Sequence, residues 1–407
     1  MKGLLISLFS SLFLFSSLNG EEKVLLFDQQ EEVPLFSEVD SKADGNRKES
    51  ERQNDMMRFF SFSIAEGIKS AFVEVVGKYS LFDSYEGKKI SDRYFGKSFL
   101  VEASEEGLSW GELFVSIYQI EIVPGEESKI LVDGIQYPGS LLIYAVEDRL
   151  FIINKVEEQE ALFHLLSAQV SRENVYDLVT LRTLAIVTRT DLAYRRSLRG
   201  KKLWDAKKEE FPFLGVVGYS EGSLLKRAID ETKGNILQEE GRSFPCKWHE
   251  HSAGRTADYT AIFHREPPPP ISLLGGKFPE AQQDRERVAW NFSFPSHILA
   301  ESVGLDDIEG ISLYADLSSS RVYALKLSYE NEGRILSFEK FYQLLFPQLK
   351  SNWFEVRLEK RQISVSGWGM GLGVGLCLYT AEQNSLIGKD EREILQLFFP
   401  RAEIVKM

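Results

Sequence analysis

Apolar residues recur along this chain with two periods, and the alternation between them sets the order of elements. Positions 61–76 carry Phe62, Ile64, Ile68, Phe72 and Val75, a spacing read as a helix. Short strands follow at 113–123 and 129–132. Leu141 to Tyr144 and Leu150 to Ile153 flank Glu147-Asp148-Arg149 and predict a hairpin. Beyond Asn154 the period lengthens. Helices are expected over 157–170, where Glu157, Glu158 and Glu160 suit an N-terminal end, over 176–196, and over 223–233 with Gly234 as the stop. A hairpin is expected where 236–238 and 243–248 flank Glu240-Gly241. Next come a strand at 290–294, a helix at 295–303, two strands within 312–329 around Ser318-Ser319-Ser320, a helix at 338–346, and 354–365 leading onward. The pattern predicts an α+β fold of short-stranded mixed sheets and several helices around a groove.

The segment 367–376 reads Gly-Trp-Gly-Met-Gly-Leu-Gly-Val-Gly-Leu. In a strand, glycine at every second place strips one face of side chains, which lets a ligand or another backbone approach closely. A groove wall and a glycine-rich strand packed under a neighbour satisfy the pattern equally. A dinucleotide fingerprint fails on register, because Leu376 stands where its third glycine belongs. A membrane helix through the uncharged 362–381 would carry five glycines, each costing about 1 kcal/mol relative to alanine.

Composition adds bounds. With 43% hydrophobic and 27% charged residues the chain has the make-up of a globular protein. A net charge of −13 argues against general nucleic-acid binding. Residues 1–20 read as an export signal or N-terminal anchor: Lys2 is followed by an apolar, serine-dotted stretch to Leu18. Residues 21–58 read as a flexible acidic linker, and 59–407 as the folded part. Pro267 to Pro270 is a stiff connector. The run from Arg195 to Lys202 reads as a solvated helix end. Cys246 and Cys377 are open to pairing, metal binding or a free state. Cys246, His249 and His251 within six residues are a candidate zinc set, with Cys377 as a possible fourth ligand. The plain alternative is that His249 is a polar groove residue and no metal binds. Trp248, Trp290 and Trp368 suit either sugar stacking or a core.

Five stretches in order resemble the stage II sporulation protein D family (the SpoIID/LytB domain), over about 137–400. They are Tyr137-Pro138-Gly139-Ser140-Leu141 through Asn154; Leu181 to Thr190, ending in Arg189-Thr190; Asp230-Glu231-Thr232-Lys233-Gly234; His249 to Thr256; and the glycine run through Ala381. Glu393-Ile394-Leu395 with Phe398-Phe399-Pro400 is similar to the family's last helix.

The resemblance implies an exported protein of the periplasm or cell envelope acting on the glycan strands of peptidoglycan. The implied activity is lytic transglycosylation during wall remodelling or division, alongside an amidase or other wall enzymes. It assigns substrate contacts to Arg189, His249, Ser252, Arg255, Thr256, Gly369, Gly371 and Gly373. It also allows zinc in the His249 loop. The reaction needs one carboxylic acid to protonate the leaving oxygen. Counting from Asn154 places Gln169 at that acid's position, and an amide has no proton to give. Glu173, four residues on, is the substitute, unless it is only an exposed helix-end charge. Leu372 stands where the family has histidine, Leu378 where it has glutamine, and Thr188 and Asp191 replace small and aromatic residues. The alternative is a non-catalytic, glycan-binding member that keeps the groove without the acid.

Overall fold

The computed structural model describes residues 58–170, 176–200, 202–208, 210–211, 213–216, 223–263 and 275–407. Residues 1–57, Glu173 and Pro267 to Pro270 lie outside them, so the export signal, the linker, the candidate acid at Glu173 and the proline connector do too. The fold is α+β, with helices and short strands in several small sheets. The chain divides into two compact units, one holding 29–170 with 195–223, the other 171–194 with 224–407.

The first unit is mostly strand. A seven-stranded sheet runs in the order Ala206–Lys207, Phe59–Ile68, Arg149–Glu157, Ser140–Val146, Gln119–Pro124, Tyr79–Asp83, Lys88–Arg93. A six-stranded sheet runs Ile135–Tyr137, Lys129–Val132, Ser70–Val76, Lys97–Ser104, Gly107–Trp110, Leu113–Val115. The helix expected over 61–76 is therefore two strands, Phe59–Ile68 and Ser70–Val76. Phe60, Phe62 and Ile64, then Ala71, Val73 and Val75, are buried at alternate positions, while Phe72 and Val76 face outward. Period two therefore decides the segment, and the apparent helical spacing mixed residues from both faces.

The expected hairpin is present, with Ser140 opposite Lys155 and Val146 opposite Arg149. Its open end is pinned by Asn154, fully buried, whose Nδ2 donates to Pro138 O at 2.6 Å and Ser140 O at 3.0 Å. The helix Glu158–Gln169 follows. The basic run is not a solvated helix end. Arg195 pairs with Glu210 at 2.9 Å, Arg196 with Glu158 at 3.2 Å and Arg199 with Asp205 at 3.4 Å, so Glu158 is also more than a helix-start charge.

The helix Leu178–Ser197, in the second unit as far as Tyr194, and the helix Leu224–Glu231 within that unit are close to expectation. The strand Asn235–Gln238 pairs not with 243–248 but with the C-terminal strand Glu403–Lys406. The local turn does form, since Glu239 bridges Arg242 around Glu240-Gly241, but the next strand is only Trp248–His249. Two three-stranded sheets follow. One joins Ala289–Pro295, Gln362–Trp368 and Phe354–Glu359, and the other Gly310–Ala315, Val322–Tyr329 and Glu332–Ser337. With the helices His297–Val303 and Phe338–Leu345 they enclose a core of Leu299, Leu325, Leu327, Phe341, Ile363 and Val365. Among the described residues no helix is long and apolar enough to cross a membrane.

Candidate functional site

The glycine run does not form the expected strand wall. The strand ends at Trp368, and Gly369, Gly371, Gly373 and Gly375 all take positive φ, between 63° and 93°, which breaks the extended path at every second residue. The resulting loop is bonded to the His249 segment. Trp248–His249 pairs in parallel with Leu376–Cys377. His251 N donates to Met370 O at 3.2 Å, Met370 N to His251 O at 2.9 Å, and Ala257 N to Gly373 O at 2.8 Å. At Gly373 a Cβ would fall 1.7 Å from the Arg321 guanidinium carbon. Glycine is there because an arginine lies flat against the backbone.

Arg321 is fully buried and organises both loops. It donates to Ser252 O and Arg255 O at 2.9 Å and to Asn352 Oδ1 at 2.7 Å. Burial without an acid partner lowers its pKa to about 10. His249 is fully buried, with Nδ1 3.2 Å from Val374 O. A carbonyl only accepts, so Nδ1 carries the proton, and Nε2 has no partner among the described residues. Burial first, and the Arg321 charge second, push its pKa well below the ordinary value.

His251 differs. Its Nδ1 accepts from Ala253 N at 3.0 Å, which leaves the proton on Nε2, 3.5 Å from Asp284 Oδ2. Its ring packs on Tyr379 with centroids 4.4 Å apart. Burial lowers its pKa against the opposing pull of Asp284. Tyr379 begins the helix Leu378–Leu386, and one turn later comes Glu382, whose pKa is raised by burial and then by Asp177. Asp284, Tyr379 and Glu382 are the titratable groups beside the loops that sequence reasoning missed. Asp284 and Glu382 lie in segments with no motif spacing, and Tyr379 lies in the 367–381 stretch beside the more conspicuous glycines.

The remaining sequence candidates divide. Ser252 is buried, its N–H donating to Cys377 Sγ at 3.2 Å and its Oγ accepting from Gly254 N at 3.2 Å. Thr256 Oγ1 accepts from Gly276 N at 2.8 Å. Arg189, fully buried, donates to Ile229 O, Thr232 O and Asn235 O at 2.7 to 3.2 Å and so closes the C-terminal end of Leu224–Glu231. Thr190 Oγ1 accepts from Leu237 N at 2.8 Å. Arg255 alone of the assigned side chains is partly exposed. Gln169 lies at the C-terminal end of its helix in the other unit.

The zinc set is not assembled: among the described residues no group of three or more His, Cys, Asp or Glu could hold a metal ion. Cys246 and Cys377 are both free and buried rather than paired. Burial, and then the Asp191 charge, push the Cys246 thiol well above its usual pKa. Trp290 is core, whereas Trp248 and Trp368 keep part of their surface.

Asp191, Leu372 and Leu378 each have local packing or bonding partners, whereas the buried Thr188 hydroxyl has none among the described residues. Asp191, buried, receives the buried Lys247 ammonium at 2.6 Å. Leu372 packs against the apolar core beneath the two small sheets, and Leu378 is buried at the start of its helix. Two cavities, of about 590 Å³ around Phe72, Phe99 and Leu113 and of about 440 Å³ around Gln238, Arg401 and Glu403, include none of the assigned site residues.

No family model matches the chain. It is 22% identical over 343 residues to an uncharacterised protein of Brachyspira hyodysenteriae, covering 82% of this chain and 89% of that one. It is 26% identical over 166 residues to an uncharacterised protein of Chlamydia pneumoniae, covering 40% of this chain and 60% of that one.

Proposed function

We propose that the chain acts on the glycan strands of peptidoglycan in the cell envelope, as a lytic transglycosylase-like protein of the SpoIID/LytB kind whose proton donor is not residue 169. The observation that supports the reading is the bonding between the family-like segments. The loop 249–256 is hydrogen-bonded to the glycine run, and Arg189-Thr190 is hydrogen-bonded to the 229–237 segment. The donor is a carboxylic acid, and the two candidates are Glu173 and Glu382. Glu382 holds its proton to higher pH because burial and the Asp177 carboxylate disfavour its ionised form.

The test is to incubate purified protein with peptide-stripped sacculi and look for anhydromuramic ends by mass spectrometry. Glu382→Gln and Glu173→Gln are run beside the wild type, and loss in one of them names the donor. Silence of the wild type and of a Gln169→Glu variant at every enzyme concentration would sink the catalytic reading. A second reading, a glycan-binding protein without catalysis, is favoured by the amide at Gln169. It expects the protein to pellet with stripped glycan while the product analysis stays blank.

A further inference from the structure

Three guanidinium groups surround one indole in the second unit. The Arg285 carbon lies 4.6 Å from the Trp353 ring centroid and 3.9 Å from that of Trp368. The Arg255 carbon lies 5.8 Å from Trp353, and that of buried Arg321 5.9 Å. The two indoles are themselves 6.1 Å apart. Arg321 spends its donors on carbonyl and amide oxygens. The side chains of Arg255 and Arg285 have no hydrogen bond or ion pair to any described residue, and Arg285 Nε is buried without a partner. Of the two acids adjacent to Arg285 in sequence, Asp284 is engaged by His251 and Arg287, and Glu286 is exposed and makes no ion pair with it.

Three positive charges around one ring, none of them paired with an acid among the described residues, repel one another. They stand out in a chain of net charge −13 whose other arginines mostly carry acid partners. The indoles explain how the cations are held: each guanidinium carbon lies over indole π-surface within cation–π range. This arrangement also leaves the N–H edges of Arg255 and Arg285, the part of arginine that binds planar oxyanions in a fork, without an acceptor among the described residues. The partly exposed Trp368 beside Arg285 supplies a surface on which a sugar ring can lie.

We infer that Arg255 and Arg285, carried on Trp353 and Trp368, form a binding site for an oxyanion borne on a sugar, a carboxylate or a phosphate. The site does not depend on the peptidoglycan reading. An inactive protein that still binds acidic sugars would retain it, and an active one that does not would lose it.

The experiment measures equilibrium binding to the full chain of three sugars on one scaffold: neutral N-acetylglucosamine, N-acetylmuramic acid and N-acetylglucosamine 6-phosphate. Binding of an acidic sugar about ten- to a hundredfold tighter than the neutral one is expected, weakening at high salt. Tighter binding of the muramic acid assigns a carboxylate, and of the 6-phosphate a phosphate. Arg255→Gln and Arg285→Gln should each lower the preference for the acidic sugar, and Arg285→Lys should retain more of it than Arg285→Gln. Melting curves of the variants verify folding. The inference is overturned if neither acidic sugar binds better than the neutral one, if none binds, or if the preference survives both substitutions.

Discussion

The guanidinium of Arg321 occupies the space that a side chain at residue 373 would need. Gly373→Ala should therefore destabilise the protein by at least ~2 kcal/mol, from overpacking and from a φ of 63° that alanine resists. An unchanged urea midpoint would contradict that packing. The two histidines give a pH signature. Both have folded pKa values below the ordinary 6.5 of histidine, so between that value and the lowered ones the unfolded chain holds protons that the folded chain refuses. Stability is then complete above about pH 6.5 and falls as pH drops below it, by up to ~1.4 kcal/mol per pH unit for each histidine. Denaturant melts of wild type and His251→Asn between about pH 7.5 and about pH 5.5 measure it, and equal slopes would exclude His251 as a contributor.

Among elements, the helix Leu178–Ser197 is tied to the motif loops by a buried ion pair. Lys247→Met strands the Asp191 carboxylate away from water and should cost ~3–5 kcal/mol. Adding Asp191→Leu should recover most of the loss, because the desolvation penalty leaves with both charges. A double variant as unstable as the single one would show that the loss comes from packing instead. The pair also gives the buried Asp191 a partner. Aspartate at 191 and lysine at 247 compensate each other across a sequence gap that no local reading bridges.

At the scale of the whole molecule, among the described residues both thiols are free and no group of three or more His, Cys, Asp or Glu is placed to hold a metal ion. Both cysteines should react with a thiol reagent only after denaturation, since Cys246 is 1% exposed and Cys377 0%. Chelator treatment should leave the melting temperature unchanged. Rapid labelling of the native protein, or a lowered melt after chelation, would require a different arrangement around the His249 loop.

Much of the element order was legible because burial follows chain periodicity. The hairpin closed at Glu147, the helix Glu158–Gln169 and the helix stopped before Gly234 are local patterns, and the structure has them. The stretch 61–76 was misread because apolar residues on both faces of two strands mimic a helical spacing, and only burial separates the faces. The glycine run was singled out correctly as a place of close approach. Its shape was not legible, because positive φ at alternate residues is chosen by what lies against each glycine, here the 247–253 loop and Arg321. The sequence by itself determined the α+β pattern, the hairpin and the positions where backbone must come close. Tertiary structure decided which residues face one another: Arg321 under Gly373, Asp284 beside His251, and Arg285 on Trp368. Such contacts join residues far apart in the chain, and a lone arginine or aspartate has no period that would announce its partner.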